Sequence, residues 1–170
     1  MSTNRYVNLV NGVLTQQVPN TSSAGAGDAG KLIALNAAGA LDATMLPSGV
    51  GATAVTATAS AAISAGMLIN LWSNAGVLSV RPADSTAAGS PADGYATAAI
   101  ANGATGTVNL GQGIITGLTG LTLGAEYFLG TVGALVAVAP SAAGNVVQRV
   151  GRAVSATSLD FQAYAPVTVA

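Results

Sequence analysis

Between residues 53 and 60 of this 170-residue chain, Val55, Ala57 and Ala59 alternate with Thr56, Thr58 and Ser60. A period of two places successive side chains on opposite sides of an extended backbone, so the segment reads as a half-buried strand. The pattern recurs downstream. Met67 to Trp72 and Val77 to Arg81 flank Ser73-Asn74-Ala75-Gly76 as a hairpin. Gly94 to Ala101 and Ala104 to Leu110 are joined by Asn102-Gly103, a dipeptide suited to a type I′ turn because both positions take positive φ. Glu126 to Leu129, Ala134 to Ala139, Val146 to Val154 and Leu159 to Val169 complete the set. No stretch carries a convincing amphipathic helix. Roughly eight strands at hairpin spacing predict an all-β fold, an antiparallel β-sandwich or barrel-like body over residues 53–170. In the last hairpin, a turn at Ser155 to Ser158 would set Arg152 opposite Phe161 and Arg149 opposite Tyr164, two cross-strand arginine–aromatic pairs.

Residues 1–52 differ in character and read as an extended N-terminal arm and linker. The tract Asn20 to Gly30 (NTSSAGAGDAG) cannot bury enough apolar area to offset its own ordering entropy, which suits a linker or an arm that orders on a partner. Apolar islands flank it at Tyr6-Val7-Asn8-Leu9-Val10 and at Lys31 to Leu35, and Pro47, Gly49 and Gly51 punctuate the boundary.

The chemical inventory is poor. The chain has five basic and six acidic side chains, a net charge of −1, and neither His nor Cys. This excludes imidazole general bases, thiol nucleophiles, His/Cys zinc sites and disulfides. Charged residues reach 6%, against about 25% in an ordinary soluble domain, and offer no electrostatic footprint for nucleic acid. Asp28, Asp42, Asp84, Asp93, Glu126 and Asp160 stand far apart, with no metal-loop spacing among them. Gly25-Ala26-Gly27-Asp28-Ala29-Gly30-Lys31 nearly matches a phosphate loop, but Leu32 stands where a magnesium-binding hydroxyl belongs and no buried strand precedes it. The expectation is a protein with no catalytic residues, no cofactor and no metal.

A mean hydropathy of +0.57 raises the membrane question. The best apolar run, Leu129 to Ala139, contains Gly130, Thr131 and Gly133 and ends at Pro140, well short of the roughly 20 residues a spanning helix needs. Aromatic residues are too few for the girdles of a membrane barrel. The first residues, MSTNRYVNLVNG, lack the apolar core of a signal peptide, so the reading is a soluble protein that stays where it is made. A core of Ala, Val and Thr with 4% aromatics is thin, and a surface this short of charge favours association. Both deficits are relieved in a homo-oligomer packed into a larger assembly. Trp72, at the end of an apolar strand, reads as core or subunit interface.

Tyr6 to Asn11 (YVNLVN) and Ser23 to Ala52 (SAGAGDAGKLIALNAAGALDATMLPSGVGA) resemble the N-terminal region of small bacteriophage virion proteins, and Ala59 to Trp72 is similar to the apolar start and hairpin that follow it there. Gly117 to Phe161 resembles a module of phage head-decoration (capsid cement) and tail-fibre proteins. Its marks are a turn before Tyr127-Phe128-Leu129, the Pro140-Ser141 turn and the stretch Gly144 to Gly151 (GNVVQRVG). The resemblance implies a head-decoration protein on the capsid exterior, made in the host bacterial cytoplasm. Its partners would be the major capsid protein and further copies of itself, a trimer or else a dimer, with no nucleic acid and no membrane. The alternative it leaves is a tail-fibre or spike component that binds a host receptor. The contact residues it points to are Arg5, Tyr6, Leu9 and Val10 in the arm, with Trp72 in the body.

Overall fold

The computed structural model describes residues 5–37, 39–42, 45–46, 53–86 and 89–170. The chain divides into two units, Met1–Gly51 and Ala52–Ala170. The first holds an antiparallel hairpin of β1 (Tyr6–Val10) and β2 (Val13–Gln17), followed by a single 3-10 turn at Ala26–Asp28. The arm is thus a hairpin and a folded loop rather than a simply extended chain.

The second unit is all-β, as the period-two pattern requires. Strands β3 (Thr53–Ala59), β4 (Leu68–Asn74), β5 (Val77–Pro82), β6 (Gly94–Ala96) and β7 (Thr105–Leu110) close into a barrel in the order β3-β5-β4-β6-β7. Five more strands form a sheet in the order β10-β9-β12-β13-β8. They are β8 (Gln112–Ile115), β9 (Glu126–Leu129), β10 (Leu135–Val136), β12 (Arg149–Ala153) and β13 (Leu159–Gln162). Between them in sequence, β11 (Val146–Val147) pairs with β14 (Val167–Thr168). One departure from the antiparallel expectation is topological. A closed ring with an odd number of strands cannot reverse direction at every step, and the parallel pair falls between β3 and β5.

Each barrel strand contributes to an inner core. Ala57 and Ala59 from β3, Ile69 from β4, Val80 from β5, Ala96 from β6 and Val108 from β7 pack with Ile63 and Ile100. So small a barrel leaves little room inside, and alanine at three of these positions fits that space. A second core joins the barrel to the five-stranded sheet through Leu68, Tyr95, Ile115, Tyr127, Leu129, Val150, Leu159 and Phe161. Leu68 and Ile69 are neighbours on β4, as Tyr95 and Ala96 are on β6, so each pair faces both cores at once. Tyr95 and Phe161 meet edge to face with centroids 5.3 Å apart.

Two buried amides satisfy backbone that no strand pairs. The Gln148 carboxamide accepts from the Ala92 N–H at 2.7 Å and donates to the Ala92 and Tyr164 carbonyls, both at 2.9 Å. The Asn70 amide donates to the Pro91 carbonyl at 3.0 Å and to Asp93 Oδ2 at 2.9 Å, while its oxygen accepts from Arg81 Nε at 2.9 Å.

Val146 to Val154 and Leu159 to Val169, each expected as one strand, divide into β11 and β12 and into β13 and β14, which belong to different sheets, and three hairpins differ in turn or register. The β4–β5 hairpin closes on two residues only, Ala75 (φ 51°) and Gly76 (φ 84°), a type I′ geometry with alanine where a left-handed backbone is required. At Asn102-Gly103 only Gly103 takes positive φ. There β6 stops at Ala96, because Ile100 leaves the ladder to bridge Ile63 and the Gly103 N–H donates to the Ala59 carbonyl. In the last hairpin the register is one residue from the expected one. Arg152 faces Asp160 and Gly151 faces Phe161. The expected register would have set Arg152 on the face that buries Phe161, and a one-residue slip reverses every side chain of a strand. Gly151 has φ 153°, and a Cβ on it would overlap the Asp160 carbonyl oxygen, so only glycine passes there. The other expected pair does meet: Arg149 stacks on Tyr164 at 4.5 Å, and its carbonyl accepts from the Tyr164 N–H at 3.2 Å.

Replacing Ala75 with Asn, which tolerates the left-handed region, is expected to raise stability by roughly 0.5–1 kcal/mol in urea titration. Gln148→Leu strands the Ala92 N–H and two carbonyls, and the same titration should record a loss of roughly 2–4 kcal/mol.

Candidate assembly surface

The hairpin of the first unit turns on Asn11-Gly12, with φ 51° and 79°. This is the favoured type I′ dipeptide, and Tyr6–Val10 and Val13–Gln17 flank it symmetrically. That signal was present in the sequence. Reading Tyr6 to Val10 as an isolated apolar island overlooks it, because the second strand, VLTQQ, is half polar.

Register sorts the side chains into two faces. Tyr6 lies opposite Gln17, Asn8 opposite Thr15 and Val10 opposite Val13, on one face. Val7 opposite Gln16 and Leu9 opposite Leu14 occupy the other. The first face is tied into its own unit at one end, where Tyr6 Oη donates to Gln17 Oε1 at 3.0 Å and receives a long 3.5 Å contact from the Leu32 N–H, while Val10 and Val13 at the other end are exposed. The second face is open, with Val7 64%, Leu9 63% and Leu14 72% exposed. Among the described residues of this unit, none is buried. A two-stranded ribbon in this condition lacks the packed face that independent stability needs.

The contact residues expected from the sequence therefore separate. Leu9 stands on the open face, Tyr6 and Val10 on the opposite one, and Arg5 is exposed immediately before β1. Trp72 belongs to the other unit and is half-buried. It lies under the Arg81 guanidinium at 4.8 Å, and its Nε1 donates to Ser60 Oγ at 3.1 Å.

The glycine-rich loop is occupied by its own carboxylate. Asp28 Oδ2 accepts from the Ala24 N–H at 2.6 Å, and Oδ1 pairs with Lys31 Nζ at 2.8 Å. The Lys31 hydrogen bond, with help from Ala24 and Asn20, lowers the Asp28 pKa from an ordinary 3.8 to about 2. The concavity beside it, 240 Å³ and lined by Asn20, Ser22, Asp28, Lys31, Ile33 and Met45, thus presents an anion of its own where a phosphate would have to sit. Asn20 and Ile33 bridge the base of the loop, through an Asn20 N–H to Leu32 carbonyl bond at 2.9 Å and an Ala34 N–H to Asn20 carbonyl bond at 2.8 Å.

In the second unit Glu126 forms ion pairs with both Arg149 and Arg152, at 3.2 and 3.1 Å, and accepts a hydrogen bond from Arg152. Partial burial opposes ionisation of Asp84, yet hydrogen bonds from Thr86 Oγ1, the Thr86 N–H and the Val132 N–H hold its pKa below the usual value. The last of these steadies Val132, which takes φ 49° at the β9–β10 turn, an unusual conformation for a β-branched residue. A groove of 460 Å³ includes Met67, Leu118, Leu121, Tyr127 and Leu135 in its lining, and no charged side chain. Among the described residues no cluster of three or more His, Cys, Asp or Glu could hold a metal ion, and no helix is long and apolar enough to cross a membrane.

No protein-family model matches the chain, and no curated protein matches it. Among solved structures, the crystal structure of the head fiber gp8.5 N base of bacteriophage phi29 is similar to it. The identity is 15%, the match covers 68% of this chain and 99% of that one, and the TM-score is 0.46.

Because the Asp28 pKa is depressed in the folded loop, its contribution is complete above pH 3.8 and is lost as pH falls through about 2. Amide exchange at Ala24, followed by NMR, should accelerate across that interval, and Asp28→Asn should show the fast exchange already at neutral pH.

Proposed function

We propose that the chain is a structural, non-catalytic component of a bacteriophage virion, a fibre- or appendage-type piece fixed to the particle through its N-terminal hairpin unit. The observation that carries this reading is the contrast between the two units. The body has two cores of its own, whereas the described part of the arm has no buried residue and an uncharged apolar face. An element built this way is complete only when something covers it, which suits a subunit of an assembly. The sequence resemblance to phage virion proteins supplies the class of assembly.

Within that class, attachment through one small element favours an appendage over a cement that clamps several major capsid proteins. Lattice clamping asks for a broad apolar underside on the body. The exposed large apolar residues there come from separate turns and strands, among them Val77, Leu123, Val138 and Val167.

Immunogold labelling of intact virions with antibody against the body checks the proposal. Discrete label at appendages is the expected outcome. Uniform label over the head would favour the capsid-stabilising reading, label at the tail tip a receptor-binding fibre, and unlabelled particles would remove the chain from the virion.

A further inference from the structure

We infer that Asn11, at the tip of the β1–β2 hairpin, is a site of spontaneous covalent modification that ends in isoaspartate. The same dipeptide at Asn102-Gly103 is protected by its seat on the barrel. The chemistry requires only water, and it holds whether or not the chain is a virion component.

Asparagine followed by glycine occurs twice in the chain, at Asn11-Gly12 and at Asn102-Gly103. With no side chain on the second residue, its deprotonated backbone nitrogen reaches the asparagine Cγ unhindered. The N–Cγ bond forms, the Cγ–Nδ2 bond breaks, and ammonia departs from a five-membered succinimide. Water then opens the ring at Cγ to give aspartate, or at the backbone carbonyl to give isoaspartate. Ring closure needs a free glycine nitrogen and an asparagine ψ rotated away from the turn conformation. Its rate in a folded chain therefore follows local opening.

Exposure does not separate the two sites, since all four residues are exposed. Anchoring does. The Gly103 N–H donates to the Ala59 carbonyl at 2.7 Å, and the Ala59 N–H donates to the Ala104 carbonyl at 2.9 Å. Ala59 is fully buried, and Ile100, just before the turn, bridges Ile63 within the barrel core. Freeing the Gly103 nitrogen thus means detaching the turn from the barrel. At the other site the Gly12 N–H has no hydrogen-bond partner among the described residues. The closing pair, Val10 and Val13, is exposed, and no described residue of that unit is buried. Opening this tip sacrifices no core.

The two products affect the hairpin differently. Aspartate retains it, because Asp-Gly also suits a type I′ turn. Isoaspartate routes the backbone through Cβ, lengthens the two-residue turn and ends the register that sets Leu9 opposite Leu14.

Incubating the full chain in mildly alkaline buffer, followed by peptide mass spectrometry and isoaspartyl methyltransferase labelling, reads both sites. Asn11 should convert roughly ten-fold faster than Asn102 in the folded chain, and the rates should converge to within about three-fold in concentrated urea. Asn11→Gln, which would have to close a slower six-membered ring, should remove the early methyl labelling. Equal rates in the folded chain, a ten-fold preference that persists in urea, or early labelling that survives Asn11→Gln would each overturn the inference.

Discussion

The body depends on strands β4 and β6 serving as a wall common to two cores. Leu68, Ile69 and Asn70 are consecutive and all buried, as are Gly94, Tyr95 and Ala96. Burial of both faces is unusual for strands in an antiparallel setting, where one face commonly meets water. Here it lets one set of backbone hydrogen bonds support the barrel interior on one side and the aromatic contact of Tyr95 with Phe161 on the other. With only 4% aromatic residues, concentrating them at that junction does more than spreading them would. Phe161 is fully buried, and Gly151 faces it in the register of β12 and β13, where a side chain would not fit.

Polar side chains complete what the thin core leaves open. The loop carrying Ala92 and Asp93 leaves backbone groups without a strand partner, and Gln148 and Asn70 act as short substitutes for one. Both are nearly free of solvent, where an unmade hydrogen bond costs more than a made one contributes. The charged residues serve similar local ends. Arg81 bonds Asn70 and covers Trp72, Glu126 bridges two arginines, and Asp28 closes its own loop. These charged groups therefore act as ties within the fold.

The arm follows a different economy. Its hairpin has sound turn chemistry and a consistent ladder, so its local conformation is specified, yet it encloses nothing. Ordering a ribbon without burial leaves backbone entropy unopposed. Covering the Val7, Leu9 and Leu14 face would transfer that deficit to an intermolecular contact.

Much of the body was legible in the sequence because strand periodicity is local. Val55, Ala57 and Ala59 point inward as their alternation requires, the hairpin at residues 73–76 forms, and Arg149 reaches Tyr164. The candidate site was legible in part: the arm segment around Leu9 stood out as apolar, while the second strand and the division into two faces did not. Asn102-Gly103 misleads because a distant partner, Ile63, competes for the strand beside it. Trp72 could not be assigned from its neighbours in sequence, since its environment is made by Arg81 and Ser60 from elsewhere in the barrel. By itself the sequence determined an all-β chain without His or Cys, because composition and period-two alternation act residue by residue. Barrel closure, the parallel pair, the shared wall and the face each arm residue occupies were decided only by tertiary structure, because each depends on which distant backbone supplies the next hydrogen bond.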